Sequence, residues 1–264
     1  MRALELTTGY VLTALLIHLG TSVSYGAEPK YQGKRLGQWV ELYENARADS
    51  AEENQAVQAL KAIGSNAIPY LVKWIADPSA SDGHYLGAAD SFAVFGAAGS
   101  PAIPELARLL ESTNQLSATL AGTALGHIGK PSLPALMHAL TNRMFRIGTQ
   151  AALTLVELGT NARPAVPILL RQLEHPNHFV RERAADTLGK LSLEPEAVVP
   201  ALAKLLNDNS PAARFLALQG LAEFGANARS AVPAISNLFA NPDPRVRSGA
   251  TNALRKIDQA GFSK

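Results

Sequence analysis

Two histidines three residues apart, His175 and His178, with Glu174 beside them, come nearest to a chemical constellation in this chain of 264 residues. Two imidazoles on one helical turn can share a metal ion when further donors complete the set. Here Pro176 stands between them and predicts a helix break, so the two rings leave different elements. The chain has no cysteine, which removes thiolate ligands, thiol nucleophiles, disulfides and a lipid-anchoring cysteine together. No glycine-rich phosphate loop, no nucleophile with a supporting base and no His-Glu metal pair can be assembled by spacing. The sequence therefore predicts no catalytic residue, no metal site and no cofactor. His127 and His138 fall on different predicted helices and are expected as packing or surface residues.

A different chemistry recurs. Four residues after each of six regularly spaced prolines stand Lys73, Arg108, His138, Arg171, Lys204 and Asn237. Four of these are cationic, and a fifth, His138, can become so. If the prolines open equivalent helices lying 8 to 10 Å apart, these side chains form a polar, mostly basic stripe suited to a partner. The competing expectation is a solvated helix position that prefers Lys and Arg, helped by the helix dipole toward the C-terminal end. Arg181, Arg214 and Arg247 form a second set. Each follows an Asn or Asp by four to six residues (Asn177; Asp208 or Asn209; Asp243).

The elements that must position these residues are legible from the prolines themselves. An apolar-Pro pair returns at Ile68-Pro69, Ile103-Pro104, Leu133-Pro134, Val166-Pro167, Val199-Pro200 and Val232-Pro233, separated by 35, 30, 33, 33 and 33 residues. A period in this range marks a repeat array. Upstream of each proline an apolar helical pattern ends in Gly64, Gly96, Gly129, Gly159, Ser192 or Gly225, with Asp258 closing a last, unpaired copy. First helices are predicted at about 53 to 63, 84 to 95, 115 to 128, 145 to 158, 178 to 191, 211 to 224 and 244 to 257. Each carries one apolar stripe and most end at a residue suited to a left-handed backbone. Second helices are predicted at about 67 to 76, 102 to 111, 132 to 141, 165 to 174, 197 to 207 and 230 to 240, with the proline in or near the first turn. Upstream, Leu36, Trp39, Val40 and Tyr43 recur at helical spacing, and the segment Tyr31 to Tyr43 is expected as a helix capping the open end of the array.

On these residues the chain resembles the HEAT repeats of short bacterial type. The resemblance rests on Gly-Thr-Asn-Ala-Arg-Pro-Ala-Val-Pro from Gly159, Gly-Ala-Asn-Ala-Arg-Ser-Ala-Val-Pro from Gly225, and the pairs Val180-Arg181 and Val246-Arg247. It covers about residues 52 to 258, although the first four copies lack the Val-Arg pair. The opening Tyr-x-Gly-Lys-x-Leu-x-x-Trp is also similar to the segment before the repeats in exported bacterial members. The resemblance implies an all-α fold, a right-handed α-α superhelix of HEAT-like helix pairs with first helices convex and second helices concave. It also implies that Arg181, Arg214 and Arg247 form a hydrogen-bonded ladder between repeats with the Asn and Asp residues that precede them. The family includes phycobilin lyases and a di-iron hydroxylase, but the hydroxylase-type His-Glu pairs and a lyase-like cysteine are absent here.

Arg2 followed by the apolar run from Tyr10 to Leu19, then small residues up to Gly26 or Ala27, predicts a secretory signal peptide. An uncleaved anchor is the alternative, and the only membrane contact expected. The domain plan is therefore a signal peptide at 1–26, a capping helix and linker at 27–51, about six and a half repeats at 52–258 and a tail at 259–264. Charge is uneven: residues 28–130 hold 8 Lys/Arg against 11 Asp/Glu, a net −3, whereas residues 131–264 hold 15 against 10, a net +5. The expectation is an exported, periplasmic or extracellular, non-enzymatic scaffold that binds another protein, with an acidic segment favoured by the basic stripe. An anionic polysaccharide would suit the same charge, and export with so mild a charge argues against nucleic acid. An accessory or lyase-like subunit acting with a partner enzyme is the alternative from another class.

Overall fold

The computed structural model describes residues 26–80, 83–142 and 144–259. The expected signal peptide and most of the tail lie outside them. The described residues are all-α apart from one two-stranded hairpin, and the chain divides at Ala135 and Leu136 into two compact units, each with its own core.

The first unit opens with β1 (Lys30–Tyr31) paired antiparallel to β2 (Lys34–Arg35) and then α1 (Leu36–Asn45). The expected helix from Tyr31 is corrected here. Gln32 and Gly33 both take positive φ (47° and 81°), a two-residue hairpin turn that no helix can contain. The hairpin folds back on α1: Trp39 Nε1 donates to the Tyr31 carbonyl at 3.1 Å, and Lys34 Nζ lies 4.5 Å from the Trp39 ring centroid. Next come α2 (Ala51–Ile63), α3 (Ile68–Ala76), α4 (Tyr85–Asp90), α5 (Phe92–Phe95), α6 (Ile103–Leu109) and α7 (Gln115–Ile128). Helix α1 packs on α2 and α4, and α4 and α5 pack in turn on α7. The single helix expected over 84 to 95 is interrupted at Ser91. Its buried hydroxyl donates to the Gly87 carbonyl at 2.6 Å, an oxygen that also accepts the Ser91 amide (2.8 Å), and the next turn tightens, with the Val94 amide donating to the Ser91 carbonyl (3.0 Å).

Helix α8 (Leu133–Leu140) crosses into the second unit, which continues with α9 (Phe145–Glu157), α10 (Val166–Gln172), α11 (His178–Leu191), α12 (Pro195–Leu205), α13 (Pro211–Glu223), α14 (Val232–Ser236) and α15 (Pro244–Gln259). First helices stack directly, α9 on α11, α11 on α13 and α13 on α15. Their predicted apolar positions are buried, among them Leu155, Leu188 and Leu221, each fully inaccessible.

The landmark prolines open α3, α6, α8, α10 and α14 at the first turn. The exception is α12, which begins five residues earlier at Pro195, so Pro200 sits one turn inside and leaves the Glu196 carbonyl without its usual amide. A second departure is Phe239. It occupies a normally buried position, yet α14 tightens into a 3-10 turn over Asn237–Ala240, whose three-residue period rotates that side chain out to solvent. The helix-ending glycines all have positive φ, but Gly64 and Gly129 pair it with ψ of −141°, beyond the left-handed helical region expected of them. Only glycine tolerates that geometry readily. Ser192, at φ 49° and ψ 37°, takes the true left-handed conformation instead, which explains how a non-glycine stands there.

Candidate functional site

In the first unit Lys73 and Arg108 are exposed on α3 and α6. Arg108 is paired within its own helix, its Nε 3.0 to 3.1 Å from both oxygens of Glu105 one turn earlier, and its side chain stays exposed. That hydrogen bond raises the guanidinium pKa against the small opposing effect of burial. His127 approaches Asp90 at 3.5 Å, linking α7 to α4 at the surface.

The second unit holds His138, Arg171, Lys204 and Asn237, all exposed, on α8, on α10, on α12 and just beyond α14. Neighbouring second helices are joined by polar contacts. Gln172 at the end of α10 donates to the Leu140 carbonyl at the end of α8 (2.7 Å), and Lys204 reaches from α12 to Glu174 (2.8 Å). The hydrogen bond between Lys204 and Glu174 raises the ammonium pKa and lowers that of the carboxyl. Arg171 makes no side-chain hydrogen bond or ion pair among the described residues. Two hollows open on this side. One of ≈ 360 Å³ is lined by Asn142, Phe145, Arg171, His175 and Arg183; the other, of ≈ 800 Å³, includes Leu170, Glu174, Lys204 and Asp208.

The expected arginine ladder is realised in one rung. Arg181 Nε and Nη2 grip both oxygens of Asp208 at 2.7 and 2.8 Å, from α11 to the turn after α12, while Nη1 donates to the carbonyls of His175 and Pro176. Arg214 and Arg247 instead tie down their own turns, through the Asp208 carbonyl (2.6 Å) and the Asn241 and Pro242 carbonyls (2.6 and 3.0 Å). Asp243 is taken by Arg245 at 2.9 Å, and Asn177 caps α11, so neither completes a rung. Burial alone would raise the Asp208 carboxyl pKa, but the Arg181 hydrogen bond and the Ser210 amide outweigh it and hold the group below its ordinary value.

The two histidines of the possible metal motif are engaged separately. His175 Nδ1 accepts from the Asn177 amide, and His178 Nδ1 pairs with Glu182 at 2.9 Å. Among the described residues no group of three or more metal-ligating side chains comes together.

Sequence reasoning missed Arg183. It is 8% exposed, with Nη1 donating to the Phe145 carbonyl (3.2 Å) and Nη2 to the Leu140 carbonyl (3.3 Å) and Gln172 Oε1 (3.4 Å); Nε has no partner. Its guanidinium carbon lies 5.3 Å from the Phe145 ring centroid. Burial draws its pKa below the ordinary arginine value, yet a guanidinium stays protonated. Two signals pointed to it. Gly148 stands where Arg181, Arg214 and Arg247 stand in later repeats, and a Cβ there would lie 2.4 Å from Arg183 Nη1. Gln172 is polar where the other repeats are apolar, and it is the side chain Arg183 meets.

The family profile described as HEAT repeats matches residues 103–189, 149–209 and 199–262. No curated protein sequence matches. Among solved structures the chain is similar to an engineered protein from a structural-genomics programme, at 21% identity over 85% of this chain and 97% of that one, TM-score 0.46. It is also similar to a designed armadillo repeat protein in complex with the peptide (KR)4, at 17% identity over 85% of this chain and all of the other, TM-score 0.46.

Proposed function

The chain belongs to the HEAT-repeat family, and from that we propose that it is an exported, non-enzymatic scaffold that holds a protein partner along its second helices. Helical repeat arrays offer extended binding surfaces built from equivalent positions, and recognition then spreads over many modest contacts. The observation that carries the reading is the exposure of all six recurrent positions, with Arg171 and Lys204 lying beside open hollows. The cationic character of four of them favours an acidic, extended segment, which long-range attraction would steer onto the surface. What supports export to the periplasm or cell exterior is the N-terminal apolar run with its small-residue cleavage region.

The test is crosslinking and mass spectrometry in the cell envelope, comparing wild type with a variant carrying Lys73→Ser, Arg108→Ser, Arg171→Ser and Lys204→Ser. These exposed substitutions should leave the helical signal and thermal unfolding unchanged within experimental scatter. A protein partner captured stoichiometrically by wild type and lost from the variant supports the scaffold. Capture by both moves the contact off these helices, and chemical modification of the captured partner would instead indicate an accessory subunit of an enzyme.

A further inference from the structure

We infer that the ≈ 360 Å³ recess at the α8–α9 turn is an anchor for an acidic side chain of the partner, held between Arg171 at its rim and Arg183 at its base. The inference rests on the scaffold reading and gives it a specific contact. A guanidinium removed from water ordinarily meets a carboxylate, because neutral acceptors compensate only part of its lost hydration. Arg183 meets two backbone carbonyls and one amide oxygen, and its Nε has no acceptor. None of the residues lining the recess is acidic. The other basic side chains nearby are already matched, Lys204 by Glu174 and Arg181 by Asp208. Arg171 is the cation of this unit's row without a partner among the described residues, and it lines the same recess.

The rest of the wall specifies the neighbours of that carboxylate. Phe145, which lines the recess, is 43% exposed, and the ring of Phe179, 51% exposed and outside the lining, stands 5.7 Å from it between centroids. Ile168 and Val180 line the recess with Phe145. An Asp or Glu flanked by a large apolar residue therefore fits better than a run of acids. The volume lies at the low end for small-ligand pockets, enough for one such side chain and not for a folded element.

The probe is a fluorescein-labelled peptide of alternating Glu and Leu, titrated by fluorescence anisotropy against the full-length protein, with an alternating Gln-Leu peptide as control. Arg171→Ser removes the rim cation at an exposed position. Gln172→Glu keeps the side-chain volume and places a carboxylate 3.4 Å from Arg183, neutralising the base from within. It also gives up the donation to the Leu140 carbonyl, so its thermal unfolding is read beside its affinity and only a loss of binding in the folded protein counts. Each of the two variants should weaken binding about tenfold or more, the scale of a lost charge-assisted hydrogen bond. Lys190→Ser, an exposed cation on α11 outside both the recess and the six recurrent positions, should change it by no more than about twofold. Affinity unchanged in both recess variants, equal binding of the Gln-Leu peptide, or no binding by wild type would overturn the anchor. A loss in Lys190→Ser as large as in Arg171→Ser would overturn it too, because it would trace the binding to general charge attraction and not to the recess. Failure of the scaffold itself would show separately, as no partner captured in the envelope.

Discussion

Arg181 meets both oxygens of Asp208 while its remaining nitrogen secures two carbonyls, so one side chain joins two repeats and fixes a turn. The contact is largely covered, with the two side chains 15% and 9% exposed. Because the folded-state pKa of Asp208 is depressed, its stabilisation is complete above the ordinary aspartate range and is lost as pH falls through the folded value. Asp208→Asn should therefore cost about 1–3 kcal/mol near pH 7, with the gap to wild type narrowing below about pH 4. Urea unfolding across that range checks it, and a gap independent of pH would assign the loss to geometry alone. The residue scale is also where the sequence was least legible. The Val-Arg signature pointed to Arg181, but which partner each arginine takes depends on turn conformation: Asn177 and Asp243 are diverted to local caps and pairs. Arg183 was hidden for a related reason, since its burial is decided by the absence of a side chain at Gly148, on another helix.

Helices α11 and α13 approach at Gly189 and Gly220, where a Cβ built on Gly189 would fall 2.5 Å from the Gly220 Cα. Backbone lies on the far side, so no side chain can rotate away. Gly189→Ala gains roughly 1 kcal/mol of helix propensity, but forcing two helices apart in a packed core typically costs about 1–3 kcal/mol. We expect net destabilisation, visible as a lower thermal midpoint; a rise would mean that the helices separate freely. At this scale the sequence was a good guide. Helix α7 matches its predicted 115 to 128 and α11 its predicted 178 to 191, because apolar periodicity and a fixed proline-to-glycine spacing act together. The failures have local causes. A tightened turn at Ser91 splits α4 from α5, positive φ at Gln32 and Gly33 makes a hairpin, and the left-handed Glu194 starts α12 early.

For the molecule as a whole, periodicity implies that stability is distributed rather than shared equally. Contacts in a repeat array run mainly between neighbours, so damage to one part need not be felt at full strength elsewhere. The first unit is closed by α1, where Trp39 is 4% exposed and tied to the hairpin by its indole nitrogen. Trp39→Ala removes that plug and should cost about 3–5 kcal/mol locally. Hydrogen exchange is the decisive reading because a single melting curve would average the effect. Amides of α1, α2 and α4 should lose protection in Trp39→Ala, while those of α11, α13 and α15 keep most of theirs; Gly189→Ala should give the reverse pattern. A uniform loss through all of these helices in both variants would mean that the two units unfold as one. In that case a partner bound along the second unit would stabilise the whole chain, whereas local unfolding confines its effect to the helices it touches.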